Sequence, residues 1–151
     1  MRAPKPPAKH SVSVAAAIVD DNGRFLAIRR ADNGRWEPPG GVLELDESIE
    51  HGLVREVAEE TGLRVEPVAL TGVYKNMERG IVALVFRCRI IGHAAHPPAE
   101  VDDIQWLAPD ELARMPEAYR VRLLDALDSS VPQVRAHDGT HLLEARVRRD
   151  T

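Results

Sequence analysis

The 151 residues predict an α/β domain in which helices pack on both sides of a mixed β-sheet, and three observations carry that expectation. Residues 12–19, 24–29, 64–74 and 81–91 are apolar, rich in β-branched residues, and of strand length. Residues 48–60 and 117–127 place apolar side chains at helical spacing. The two kinds of segment alternate along the chain instead of falling into separate blocks, the order that puts helices against a sheet.

The elements follow in sequence. Residues 1–10 hold Pro4, Pro6 and Pro7 among bases and read as a disordered tail. The strand over 12–19 is expected to turn at Asp21, Asn22 and Gly23 into a hairpin partner over 24–29, where Phe25 and Ala27 alternate with polar neighbours. A helix over 48–60 presents Ile49, Leu53 and Val57 to a core, starts at Asp46 or Ser48 and ends at Gly62. Residues 64–74 and 81–91 form a second strand pair joined by the polar loop 75–80. A further strand covers 104–107, and residues 109–115 and 117–127 are helical, the latter with Val121, Leu124 and Leu127 on one face. His137, Asp138 and Gly139 mark a turn between Val134 and Leu142, a short extra hairpin and not a catalytic element. The expected organisation is one domain over 11–130, with an extension over 131–151 that packs on it or trails it.

Acidity is concentrated in one place. Residues 41–63, GVLELDESIEHGLVREVAEETGL, hold seven of the 24 carboxylates and only Arg55 among bases. On the expected helix Glu56, Glu59 and Glu60 stand at i, i+3 and i+4, so their carboxylates leave one face together. Like charges at that spacing each cost roughly 0.2 to 0.5 kcal/mol, and the C-terminal end of a helix disfavours anions further. Three convergent carboxylates with no imidazole or thiol form a hard oxygen site of the kind that takes Mg²⁺ or Mn²⁺. Arg55 leaves a different helix face, from which it can bridge to Glu47 and tie the preceding loop to the helix.

Gly41, Glu47, Arg55, Glu56, Val57, Glu59, Glu60, Gly62 and Leu63, with their spacings, resemble the Nudix box of nucleotide pyrophosphohydrolases at every fixed position. The resemblance extends to the RWEPPGG run entering the box and the EVDDIQWL run beyond it, over residues 14–127. It implies the Nudix α/β/α sandwich and Mg²⁺-dependent hydrolysis of a nucleoside diphosphate linked to another group. It also implies Glu56, Glu59 and Glu60 as metal ligands, with the carbonyl of Gly40 or Gly41 beside them. The general base in this family comes from the box or from a later loop. Glu100 leads from outside the box, with Asp102 and Asp103 competing, and solvated loop acids are an equal alternative. Glu44 either reaches a metal through water or is an exposed loop acid.

Substrate choice lies outside the box. Tyr74, Asn76 and Arg79, with Lys75, are expected close enough to meet a base, sugar or terminal phosphate. Trp36 either stacks on a nucleobase or anchors its loop in the core. The stretch 78–83 has neither the proline that accompanies ADP-ribose specificity in the family nor the tyrosine that accompanies dinucleoside polyphosphates. A nucleoside triphosphate, ordinary or oxidised, is therefore the first expectation. ADP-ribose, a nucleotide sugar or a dinucleoside polyphosphate is the alternative, and a nucleotide sensor without catalysis is a reading of another class.

The remaining features exclude more than they assign. A net charge of −4 argues against a nucleic-acid-gripping surface, and only two Trp, two Tyr and two Phe are present for stacking on single strands. No apolar run is long enough to cross a bilayer and residues 1–10 lack a signal-peptide core, so a cytoplasmic location is expected. Cys88 reads as a small core residue. His137 and His141 are poor candidates for a metal pair because Gly139 interrupts any helix between them. His93 and His96 read as polar loop residues near the site. A homodimer is compatible with the sequence.

Overall fold

The computed structural model describes residues 3–94, 101–128 and 131–144. In chain order the elements are β1 (Ser11–Ile18), β2 (Phe25–Arg30), β3 (Trp36–Glu37), β4 (Gly40–Val42), α1 (Ile49–Thr61), β5 (Leu63–Asn76), β6 (Ile81–His93) and β7 (Val101–Leu107). A 3-10 turn over Pro109–Arg114, α2 (Glu117–Asp128), β8 (Gln133–His137) and β9 (Leu142–Leu143) complete the fold. Six strands form a mixed sheet in the order β4, β1, β6, β5, β8, β9, and β3, β2, β7 form a second, antiparallel sheet.

The sequence of β1 explains the layering. Its second half, VAAAI, is buried throughout, as expected of a strand covered on both faces. Side chains alternate in direction, so Val14, Ala16 and Ile18 join one core with Leu53 and Val57 of α1. Ala15 and Ala17 join the other, with Leu123 and Ala126 of α2. Small alanines let helices approach from both sides, which is the α/β/α sandwich, reached against the poor strand propensity of alanine.

That double coverage corrects the expected first hairpin. The turn exists, with the Asp20 carboxylate accepting from the N–H groups of Asn22 and Arg24. Its two strands, however, share only the bridge Val19 to Phe25 and diverge into different sheets. β1 pairs in parallel with β6 from Ser11 against Ile81 to Ile18 against Cys88. Tertiary pairing overrides the local signal because only a central position buries both of its apolar faces.

α1 matches its expected limits. The Ser48 side chain accepts from His51 N, and Gly62 closes the helix at φ 74°. α2 has the expected extent with a different inward face. Ala118, Arg122, Leu123, Asp125 and Ala126 are buried, while Leu124 and Leu127 are exposed at 42% and 54%. Two polar residues therefore occupy the inner face, Arg122 lining a pocket and Asp125 paired with Tyr74 and Arg135. The terminal hairpin forms as expected between β8 and β9, and β8 also adds to the main sheet beside β5. Cys88 is buried in β6, where burial pushes its thiol up to about 12. No helix is long and apolar enough to cross a membrane among the described residues.

Candidate active site

The last turns of α1 lie against β4, and there the carboxylates meet the glycines. The Gly40 N–H donates to Glu60 Oε1 at 2.7 Å. A Cβ at Gly41 would stand 2.5 Å from the carboxylate carbon of Glu56, so only glycine lets that carboxylate lodge beneath the strand. A Cβ at Gly40 would collide with the Val14 carbonyl and the Ala15 backbone. Burial, reinforced by the nearby charges of Glu56 and Glu37, pushes the Glu60 carboxyl up to about 8.

Arg55 organises the remaining acids. Its Nε and Nη2 donate to the two oxygens of Glu47 at 2.8 and 2.6 Å, its Nη1 to Glu56 and Glu59 at 3.0 and 3.2 Å, and its Nη2 to the Val42 carbonyl at 3.3 Å. The expected bridge to Glu47 is present, and the same guanidinium also offsets part of the repulsion between Glu56 and Glu59. Its hydrogen bonds hold the Glu47 carboxyl down at about 2. Glu44 is exposed, with its backbone N–H donated to Glu47 Oε1.

Beside Gly40 and Gly41 opens a pocket of about 270 Å³. Its lining includes Tyr119 and Arg122 of α2, His137 of β8, and Arg30 and Glu37 at the ends of β2 and β3. Buried polar side chains collect in this region. Asn76, Arg122, Asp125 and His137 are each at most 8% exposed. Burial raises the Glu37 carboxyl and lowers the Arg122 guanidinium, and burial followed by the Arg122 charge lowers His137.

The expected recognition residues separate. Arg79 is exposed at the pocket, and Asn76 lines it while its Oδ1 accepts from the N–H groups of Glu78 and Arg79. Tyr74 is a correction. It is wholly buried, its hydroxyl donates to Asp125 Oδ2 at 2.7 Å, and it is absent from the pocket wall. The period of β5 turns it inward, under α2. Trp36 packs on the core with the Arg29 guanidinium 5.8 Å from its ring centre, which is the anchoring alternative. Pro38 lines the pocket. His93 is exposed at the end of β6, and His141 is exposed beside Asp138. Glu100 and His96 lie outside the described residues, as does the Asp102 side chain. Asp103 is engaged by Ile104 N and Gln105 Nε2.

Sequence reasoning missed Arg122, Tyr119, His137, Glu37 and Arg30. One signal was available for Arg122. It lies in helical phase with Ala118, Asp125 and Ala126, so a charge shares a stripe with small residues that suit close packing. No comparable signal marked His137, because the contact between β8 and β5 is nonlocal.

A NUDIX domain model matches residues 9–127. A MutT-like protein of Streptomyces ambofaciens is 61% identical over 92% of this chain and 91% of its own length. The chain belongs to the Nudix family. This Nudix chain is a pyrophosphohydrolase by that membership and its relatives. An ADP-ribose pyrophosphatase of Methanocaldococcus jannaschii is 33% identical over 55% of the chain and 53% of the relative. A putative 8-oxo-dGTP diphosphatase of Bacillus subtilis is 30% identical over 63% and 64%. Among solved structures, a MutT protein from Methanosarcina mazei superposes with a TM-score of 0.66 at 28% identity, covering 80% of this chain and 94% of that one.

Nudix hydrolases generally use divalent metals such as Mg²⁺. Among the described residues no three or more His, Cys, Asp or Glu side chains stand grouped so as to hold a metal ion. The donors nevertheless fit a hard cation. They are all oxygen, Gly41 leaves the space that Glu56 fills, and Glu60 is a half-buried acid among acids with no cationic partner in hydrogen-bond range among the described residues. Glu59 is 54% exposed and pairs with Arg55.

Proposed function

We propose that this Nudix enzyme hydrolyses a phosphoanhydride bond of a nucleoside triphosphate, ordinary or oxidised. Glu56, Glu59, Glu60 and the carbonyl of Gly40 or Gly41 would hold Mg²⁺, or Mn²⁺ in its place. Such a cation, when bound, draws charge from phosphate oxygens that otherwise repel a nucleophile. The chain's own residues do the rest. Gly41 leaves the space that the Glu56 carboxylate fills, Gly40 lets its strand lie close against β1, and Arg55 fixes the carboxylates, whose misplacement by about 1 Å costs on the order of 100-fold. Glu100 is the proposed base for the attacking water, favoured over Asp103 because Asp103 is spent on its own strand.

The observation that carries this reading is continuity. Gly40 and Gly41, which touch Glu60 and Glu56, also line a pocket that Tyr119, Arg122 and His137 share, aromatic and polar groups suited to a base. The relative named putative 8-oxo-dGTP diphosphatase supports a triphosphate. The test is Mg²⁺-dependent hydrolysis across nucleoside triphosphates, ADP-ribose, nucleotide sugars and dinucleoside polyphosphates. Triphosphates should give the highest kcat/KM, and a higher value for any other class would replace this substrate assignment. Loss of the triphosphate activity in Glu100→Gln, with folding retained, would support the base.

A further inference from the structure

Two buried N–H groups meet in the pocket without an acceptor between them. His137 Nδ1 accepts the backbone N–H of Gly139 at 3.0 Å, so this nitrogen carries a lone pair and the hydrogen of the neutral ring sits on Nε2. Arg122 Nη2 lies 3.5 Å from that Nε2, and a guanidinium nitrogen only donates. The two groups therefore face each other as donors. Arg122 is only 7% exposed, its Nε has no hydrogen-bond partner, and no carboxylate among the described residues forms an ion pair with it. Tyr119 and Tyr74, with ring centres 4.7 and 5.3 Å away, offset part of the cost of burying the cation and hold the guanidinium in place.

Unsatisfied donors at the wall of a pocket ask for an acceptor oxygen. Glu37 identifies what kind. It lines the same pocket at 12% side-chain exposure, with Oε1 accepting from Arg30 Nη1. A buried carboxylate there repels a second anion and accepts N–H groups, so a neutral edge with one acceptor beside one donor fits better than a phosphate. The lactam edge of a keto base has that pattern, a carbonyl oxygen next to a ring N–H. The amidine edge of adenine or cytosine has the reverse, an amino group next to a bare ring nitrogen.

We propose that Arg122 and His137 determine base specificity, jointly donating to the keto oxygen of the substrate's base while Glu37 accepts the adjacent ring N–H. The site then selects keto bases over amino bases. This rests on the nucleotide-hydrolase reading above, because the base is assumed to enter the pocket that Gly40 and Gly41 line. Presenting an amino group to Arg122 and His137 leaves buried donors opposed to a donor, which should weaken binding roughly 10- to 100-fold.

The test separates the two readings. In metal-free buffer, calorimetry on the wild-type protein should show IMP binding at least tenfold more tightly than AMP, and equal or weaker binding of IMP would overturn the proposal. A water resident between the two donors, with no base there, would also leave the two equal. In turnover, the ratio of kcat/KM for ITP over ATP should fall toward one in Arg122→Lys and in His137→Phe. An equal loss on both substrates with the ratio intact would show a purely structural role and overturn the assignment. If either variant fails to fold, the wild-type comparison still decides. Tighter IMP binding without hydrolysis of any triphosphate would sink the catalytic reading alone, and triphosphate hydrolysis without keto preference would sink only this one.

Discussion

Arg55 and Glu47 form a two-point pair, Nε to Oε2 at 2.8 Å and Nη2 to Oε1 at 2.6 Å, across the loop between β4 and α1. The pair joins the residue before the box carboxylates to the loop that leaves the glycine strand, so the relative position of Glu56 and Gly41 depends on it. Lysine keeps the charge but cannot reproduce the planar fork.

The first prediction is a pH dependence. The Glu47 carboxyl sits at about 2 against an ordinary value of 4.5, so the folded protein holds its proton more weakly than the unfolded chain. The stability it contributes is complete above about pH 4.5 and is lost as pH falls toward 2. Thermal melts of wild type and Glu47→Gln between pH 6 and 2 should therefore converge on acidification. A constant gap between the two curves over that window would remove Glu47 from the acid response.

Gly41→Ala tests the glycine cradle. The new Cβ would lie 2.5 Å from the Glu56 carboxylate, which must move, whereas the strand itself tolerates alanine. Activity should fall on the order of 100-fold with a small change in melting temperature, because displacement at a reacting site costs more than one relocated side chain. Turnover within a factor of two of wild type would show that Glu56 need not lie under Gly41 for catalysis.

Much of this site was legible because its logic is local. The spacing within α1, the Ser48 cap, Gly62 and the bridge from Arg55 to Glu47 all lie within a few turns, where side-chain periodicity fixes who meets whom. The pocket wall was not legible for the opposite reason. His137 reaches it through the parallel pairing of β8 with β5, and Arg122 through an α2 face chosen by the buried Tyr74 and Asp125. The first hairpin failed likewise. Its turn residues are real, but the alanines of β1 find more burial between two helices than beside β2.

Metal should stabilise the fold through these acids. Glu60 is half-buried near Glu56 and Glu37, which with its partial burial disfavour its charge, and glutamine at 60 keeps an oxygen for the Gly40 N–H. Without metal, Glu60→Gln should melt at or above the wild-type temperature. With Mn²⁺ at a hundredfold excess over Kd, wild type should gain about 2.7 kcal/mol and the variant much less, with kcat reduced about 100-fold or more. Equal Mn²⁺ shifts in the two proteins would place the cation elsewhere.

The last prediction contrasts Tyr74 with Arg79, two neighbours in sequence that the fold sends to different tasks. Tyr74 donates to Asp125, whose two oxygens also take Arg135 Nε and Nη2 at 2.8 Å each, so its hydroxyl belongs to a buried link between β5, α2 and β8. Tyr74→Phe keeps the ring against Arg122 and removes one bond to a charged acceptor, which should cost about 1.5 to 3 kcal/mol of stability. Its substrate ranking should stay as in wild type, since the hydroxyl never reaches the pocket. Arg79 is exposed and lines the pocket, so Arg79→Ala should leave the melting temperature unchanged and raise KM about tenfold, the equivalent of about 1.4 kcal/mol of lost contact. Melting curves and kcat/KM on the same preparations measure both. A change of substrate ranking in Tyr74→Phe with unchanged stability would return the tyrosine to the site, and an unchanged KM in Arg79→Ala would remove the arginine from it.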